Sequence, residues 1–333
     1  MPSRSGARPQ LPRVMPTSRR RRQQASPLVT FLRWVGIAIF CIFSFLSAAG
    51  LISDGDVPDG NRSQEHYQNE TYQVPPADPN PPDLPMPETY EEAKQLMVAN
   101  PIYDQHALSP VSCEISSIDL SSASPNQIEQ HLNDYTACLM QVFSAAIENA
   151  GFTAVRPTVT VYDGPVYTAC GKMPEYNAAY CGADQQVYYA KNLPDIFPAE
   201  YQHVPFVAES ILAHEFSHAI QGRTGILISE RAYESQMSES NALELSRRTE
   251  VQADCWAGQF NMSIQDSVGL SQRDQDKLSV FFAALGDDAL TGNPFTEGNH
   301  GLGSSRQSWY LTGNRNTNMG ACNTFIAPSS SVR

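Results

Sequence analysis

From residue 34 to residue 52 the chain places 19 consecutive uncharged, mostly apolar residues, WVGIAIFCIFSFLSAAGLI. At 1.5 Å per helical residue such a run reaches about 30 Å, the thickness of a bilayer's hydrocarbon core. It is apolar on every face, follows Arg33 and precedes polar sequence, so it predicts a single transmembrane helix rather than a buried core helix. The small residues Ser47, Ala48, Ala49 and Gly50 also suit a cleaved signal peptide, but the long preamble over residues 1–33 favours an uncleaved anchor. The pattern then changes. Residues 53–87 hold eight prolines among Asp, Asn, Gln and Ser with few aliphatics, and predict a disordered, extended stalk.

Folded sequence is expected over residues 88–328, followed by a short flexible tail at 329–333. Ser124 as cap and Pro125 as first helical residue open a helix. Its apolar positions, among them Ile128, Leu132, Tyr135, Leu139, Val142, Phe143 and Ile147, recur at three and four until Gly151 stops it. Residues 158–162 and 186–190 cluster β-branched and aromatic side chains between turn signals and read as strands. Helical spacing returns over 206–221, about 241–262, and 271–285. After Gly286 the sequence is rich in Gly, Asn and Ser and reads as loop, with order suggested mainly by Trp309, Tyr310 and Cys322. The expected class is α+β, mostly helical with a small sheet, in one domain behind the membrane helix.

Charge sharpens this picture. The chain has 22 basic and 35 acidic residues, a net charge of -13. Eight of the arginines precede residue 53, where there is no acid, which leaves 14 basic against 35 acidic residues beyond it. That excess repels phosphate backbones and argues against a nucleic-acid partner. The Arg19–Arg22 cluster and Arg33 instead set topology: residues 1–33 form a basic cytoplasmic tail, residues 34–52 contact membrane lipid, and the domain lies outside. Cysteine usage agrees. Cys41 falls in the apolar run, and an even set of six remains, Cys113, Cys138, Cys170, Cys181, Cys255 and Cys322, as suits disulfides in an exported domain. Short loop closure suggests Cys170 with Cys181; the sequence does not choose among the other pairings.

The chemistry is concentrated in His214-Glu215-Phe216-Ser217-His218. Histidines four apart on a helix stack on one face and can grip one ion, and the adjacent Glu can reach a water on that ion. Neutral imidazoles supply two of the three protein ligands of an open zinc site. Zinc would make the water acidic and Glu215 would take its proton as general base. A third ligand is needed. Downstream, in a strongly helical stretch, Glu250 and Asp254 are also one turn apart. Glu250 can complete a His, His, Glu set, while Asp254 can accept the outer N–H of a ligating imidazole.

The runs His214-Glu215-Phe216-Ser217-His218-Ala219-Ile220-Gln221 and Glu250-Val251-Gln252-Ala253-Asp254-Cys255-Trp256-Ala257-Gly258 resemble the two signatures of the neutral zinc metallopeptidase family of bacteria. Tyr167-Thr168-Ala169-Cys170-Gly171, Tyr180-Cys181, Leu285-Gly286-Asp287-Asp288, His300-Gly301, Ser305-Arg306 and Trp309 are similar to its other blocks, so the resemblance covers about residues 90–325. It implies a zincin-like domain with Zn2+ on His214, His218 and Glu250, Glu215 catalytic, and peptides as substrates. The chain departs at Ser217 and Ala219, where the family has Gly and His, and residues 224–242 match none of its blocks.

Peptide hydrolysis also needs a donor for the tetrahedral oxyanion. His300 is the first candidate, with Arg306 and Tyr310 as alternatives. Strand 186–190 is a candidate edge for pairing with an extended peptide. The resulting expectation is a membrane-anchored, extracytoplasmic zinc peptidase. The competing expectation is a non-catalytic envelope scaffold in which zinc only staples two helices, and a base beside the metal, Glu215, tells against it.

Overall fold

The computed structural model describes residues 67–333 apart from Asn69 and Glu297. The basic tail, the apolar run 34–52 and the first part of the stalk lie outside the described residues. Among the described residues no helix is long and apolar enough to cross a membrane.

Eight α-helices and five strands are described: α1 (Tyr90–Val98), α2 (Pro125–Asn149), β1 (Val159–Tyr162), β2 (Tyr167–Thr168), β3 (Gly171–Lys172), β4 (Ala178–Cys181), β5 (Gln186–Ala190), α3 (Val207–Arg223), α4 (Ile226–Glu234), α5 (Glu239–Val268), α6 (Gln272–Ala284), α7 (Asp287–Thr291) and α8 (Gly303–Gly313). The mostly helical α+β class is as expected. Helix α2 begins with a full capping box: Ser124 accepts from Gln127 N–H while the Gln127 side chain accepts from Ser124 N–H. Its apolar stripe is buried from Ile128 to Ile147, so the three-and-four spacing reported the core face correctly.

The sheet is small and mixed, in the order β1, β5, β4, with β1 parallel and β4 antiparallel to β5. Residues 186–190 are therefore the central strand, paired on both sides, and not the free edge the sequence suggested. A central strand has no unpaired peptide groups to offer. Among the strands of this sheet β4 is the one that borders α3.

Helices α3 and α5 run antiparallel, as their cross-links show. Asn261 Nδ2 donates to Ser210 Oγ at 2.8 Å, Asp254 meets His214 at 2.8 Å, and Gln221 Nε2 donates to Thr249 O at 2.8 Å. Residue numbers rise on one helix as they fall on the other.

The expected loop after Gly286 contains two α-helices, α7 and α8, because some of its glycines serve close packing rather than turns. A Cβ at Gly313 would overlap the Cys255 carbonyl, and one at Gly258 would overlap the Tyr310 carbonyl. Small residues at both contacts let α8 lie directly on α5. Two further expectations are corrected. Residues 67–87 are not a free stalk: Tyr72 and Val74 pack against the core, Arg156 donates to Pro75 O, Gln186 to Asp78 O, and Gln185 and Arg223 to Pro82 O. Proline-rich chain lacks donors of its own, but its carbonyls accept from these side chains. Residues 329–333 are not a flexible tail either, since Val332 is fully buried, Trp309 Nε1 donates to Ser331 O, and Leu302 N–H donates to Arg333 O. The Cys170–Cys181 disulfide is as expected, and Cys113–Cys138 and Cys255–Cys322 complete the set.

Gly313→Ala should therefore destabilise the domain by about 1–3 kcal/mol or more, the usual cost of overpacking a tight contact. Thermal unfolding followed by circular dichroism checks this through a lowered Tm, with Gly269→Ala, at a site where a Cβ meets nothing within 4 Å, as the comparison for a left-handed glycine that packs on nothing.

Candidate metal centre

The antiparallel crossing brings two i,i+4 pairs face to face. His214 and His218 on α3 meet Glu250 and Asp254 on α5. His214 Nε2 lies 3.2 Å from Glu250 Oε2, His218 Nε2 lies 3.6 Å from Glu250 Oε1, and the two Nε2 atoms are 3.1 Å apart. His214, His218 and Glu250 form the one group of potential ligands with this convergence among the described residues.

The donor set fits zinc. Ligands about 2.0–2.1 Å from a tetrahedral ion stand about 3.3 Å from one another, close to these separations. Both outer nitrogens already face acceptors: His214 Nδ1 meets Asp254 Oδ1 at 2.8 Å, and His218 Nδ1 meets Gln221 Oε1 at 2.7 Å. With Nδ1 carrying the proton in each ring, both Nε2 lone pairs point to the common space. Two such lone pairs cannot hydrogen-bond to each other, and a cation between them removes the repulsion.

The orienting carboxylate is itself held. Asp254 has no solvent exposure and takes a two-pronged bond from Arg306 on α8, Nε to Oδ2 at 2.9 Å and Nη2 to Oδ1 at 2.8 Å. Arg306 also donates to Leu285 O. Burial alone depresses the His214 pKa, but the Asp254 and Glu250 carboxylates outweigh it and raise it to about 10 in the metal-free protein. Burial works the other way on Glu250, and His218, His214 and His300 outweigh it and hold that carboxyl well below its usual range. A ligating imidazole is neutral, so a proton on His214 Nε2 would compete with a metal ion for that nitrogen.

Glu215 lies beside the three donors. Its Oε2 accepts the Tyr180 N–H of β4 at 2.8 Å. Glu215, His214, His218, Glu250 and His300 share one cavity of about 360 Å3, whose walls are mixed polar and apolar and include Phe197, Ile211 and Phe282. His300 is partly exposed and sits in a loop held by Asp287, whose Oδ2 accepts from Gly301 N–H at 2.8 Å and whose Oδ1 is 3.4 Å from His300 Nδ1. Burial lowers the His300 pKa, but Asp287 and Glu250 outweigh it and raise it; burial raises that of Asp287, and His300 and the Gly301 N–H more than reverse the effect.

Of the alternative oxyanion donors, Arg306 reaches the cavity but is committed to Asp254. Tyr310 is a core residue: it is fully buried, stacks on Phe282, and its hydroxyl accepts from Asn261. Sequence reasoning missed the Gln221 contact with His218, the Tyr180 contact with Glu215, and the role of Asp287. It also missed α4, which brings Leu227 and Arg231 to the cavity from the segment that matched no family block. Gln221 carried a signal, one turn beyond the second histidine on the same face. A backbone N–H such as that of Tyr180 leaves none.

Residues 102–325 match the family described as "putative neutral zinc metallopeptidase". The chain belongs to this family. Zn2+ is accordingly the cofactor, and the family's class is that of peptidases. An uncharacterized protein of Mycobacterium tuberculosis is 32% identical over 197 residues, which is 53% of this chain and 64% of the relative; the corresponding protein of Mycobacterium bovis matches equally. This chain thus spans a little under two thirds of the mycobacterial relatives. Uncharacterized protein YpfJ of Escherichia coli K12 is 29% identical over 219 residues, 61% of this chain and 74% of the relative. No solved structure matches.

Asp254→Asn should weaken zinc binding by about 10- to 100-fold, the usual cost of losing a carboxylate behind a ligating imidazole. Zinc titration against a competing chelator measures this. Arg306→Gln should shift affinity in the same direction although Arg306 touches no donor.

Proposed function

We propose that the protein is a membrane-anchored zinc peptidase acting outside the cytoplasm, with Glu215 as general base. One observation carries the reading: a carboxylate that is not one of the three donors stands beside them in the same cavity. A metal bound only as a staple between helices has no use for it.

When bound to His214, His218 and Glu250, zinc supplies Lewis acidity that polarises a carbonyl and acidifies water. Glu215, fixed by the Tyr180 N–H, has Oε1 left to accept the proton from the attacking water and pass it to the leaving amine. His300, held by Asp287 and favouring its protonated form, is suited to donate a hydrogen bond to the developing oxyanion.

An extended peptide is held at β4 rather than at residues 186–190. Asn177 O accepts from Ala190 N–H, so in the alternating antiparallel ladder Ala178 and Tyr180 turn their peptide groups away from β5. Tyr180 N–H already meets Glu215, which supports that orientation. The Ala178 N–H and C=O and the Tyr180 C=O are then free to pair with substrate backbone.

The anchor and location rest on the run 34–52 and the arginines before it. Three disulfides among the six domain cysteines support an oxidising compartment. Glu215→Gln, assayed on the full chain in detergent micelles with a broad peptide library, should retain zinc and lose hydrolysis by roughly a hundred- to ten-thousand-fold. Hydrolysis unchanged at equal zinc content would remove Glu215 from the mechanism.

A further inference from the structure

The three disulfides are not equivalent. Cys113, Cys138, Cys255 and Cys322 are all buried, whereas Cys170 is exposed and its partner Cys181 is buried. The exposed bridge also closes the shortest loop, with a separation of 11 residues against 25 and 67. That loop contains Tyr176, Asn177, Ala178, Ala179 and Tyr180, an unbroken run of cavity wall. It therefore contains nearly all of β4, the strand whose Tyr180 N–H holds Glu215.

We infer that the Cys170–Cys181 disulfide is a positioning element for the substrate-facing strand, and that it is the bridge a reductant reaches first. The inference rests on the peptidase reading for its effect on turnover, though not for its effect on the strand.

Strand β4 has only four residues and pairs with β5 on one side alone. The bridge joins its last residue to the β2–β3 hairpin and fixes both ends of the run 171–180. The buried Met173 and the Tyr162 hydroxyl, which donates to Pro174 O at 2.7 Å, hold the middle of the loop. Opening the bridge leaves these contacts but frees the hairpin, which is otherwise exposed at Tyr167, Gly171 and Lys172. The strand then samples more positions, and both the peptide groups of Ala178 and Tyr180 and the Glu215 contact lose definition.

The reduction itself is simple in balance. A dithiol reductant supplies two electrons and two protons; the Cys170–Cys181 sulfur–sulfur bond breaks to two thiols, and the reductant closes to its own disulfide. Attack on the accessible sulfur of Cys170 expels the Cys181 thiolate.

The test treats the full chain with graded dithiol under native conditions, blocks free thiols with iodoacetamide and maps them by mass spectrometry. Cys170 and Cys181 should be modified before the other four. Hydrogen exchange on the same sample should show protection lost over residues 177–181 and kept in α3 and α5. The Cys170→Ser/Cys181→Ala double variant should keep stoichiometric zinc and raise KM for peptides by about tenfold or more, a part of the ordering that closing a short loop provides. Thiols of another bridge appearing first, or protection over 177–181 surviving reduction, would overturn the inference. So would an unchanged KM in a variant whose only defect is a lowered Tm. If the oxidised protein hydrolyses no peptide, the peptidase reading fails, and labelling and exchange still decide whether the bridge positions β4.

Discussion

The site depends on one buried carboxylate. Asp254 has no contact with solvent and is held between a guanidinium on α8 and an imidazole on α3. A charge so placed is tolerable only while both partners stay. Removing one partner of a buried pair typically costs about 3–5 kcal/mol, because the remaining charge is stranded. Asp254 thus ties three helices to one geometry and leaves Nε2 of His214 facing His218 and Glu250. The glycine contacts between α5 and α8 serve the same end, since a wider spacing would take Arg306 out of reach.

Antiparallel crossing explains why two histidines and two acids, each pair one turn apart, divide their labour. His214 falls between the two acids, so Glu250 reaches the shared space at Nε2 while Asp254 reaches Nδ1. His218, one turn further along, meets Glu250 but is too far along α3 for Asp254, and Gln221 from its own helix takes the orienting role. One carboxylate faces the candidate metal site and the other faces the outer nitrogen of His214. The third, Glu215, is held by strand backbone, which keeps it beside the donors without making it one of them.

Much of this was legible in the chain. Hydrophobic periodicity found α2, α3 and α6 to within a few residues and α5 except for its last six, and the i,i+4 spacing of His214 with His218 and of Glu250 with Asp254 marked residues that the fold brings together. What stayed hidden was tertiary. Gly303 and Gly313 read as loop because sequence cannot distinguish a glycine that turns the chain from one that lets two helices touch. Residues 67–87 read as a stalk because composition measures how little they bury by themselves, not the side chains of Arg156, Gln185 and Arg223 that donate to the segment's carbonyls. Residues 186–190 read as a candidate edge because their central place depends on a pairing partner more than twenty residues upstream and on a strand at 178–181 that the pattern did not reveal.

The central claim is that His214, His218 and Glu250 share one zinc ion. X-ray absorption at the zinc edge of the full chain, loaded with one equivalent of metal, tests it most directly. The account predicts two imidazoles and oxygen donors at about 2.0–2.2 Å, with one imidazole lost in His218→Ala. Sulfur at about 2.3 Å, or a spectrum unchanged in His218→Ala, would contradict it.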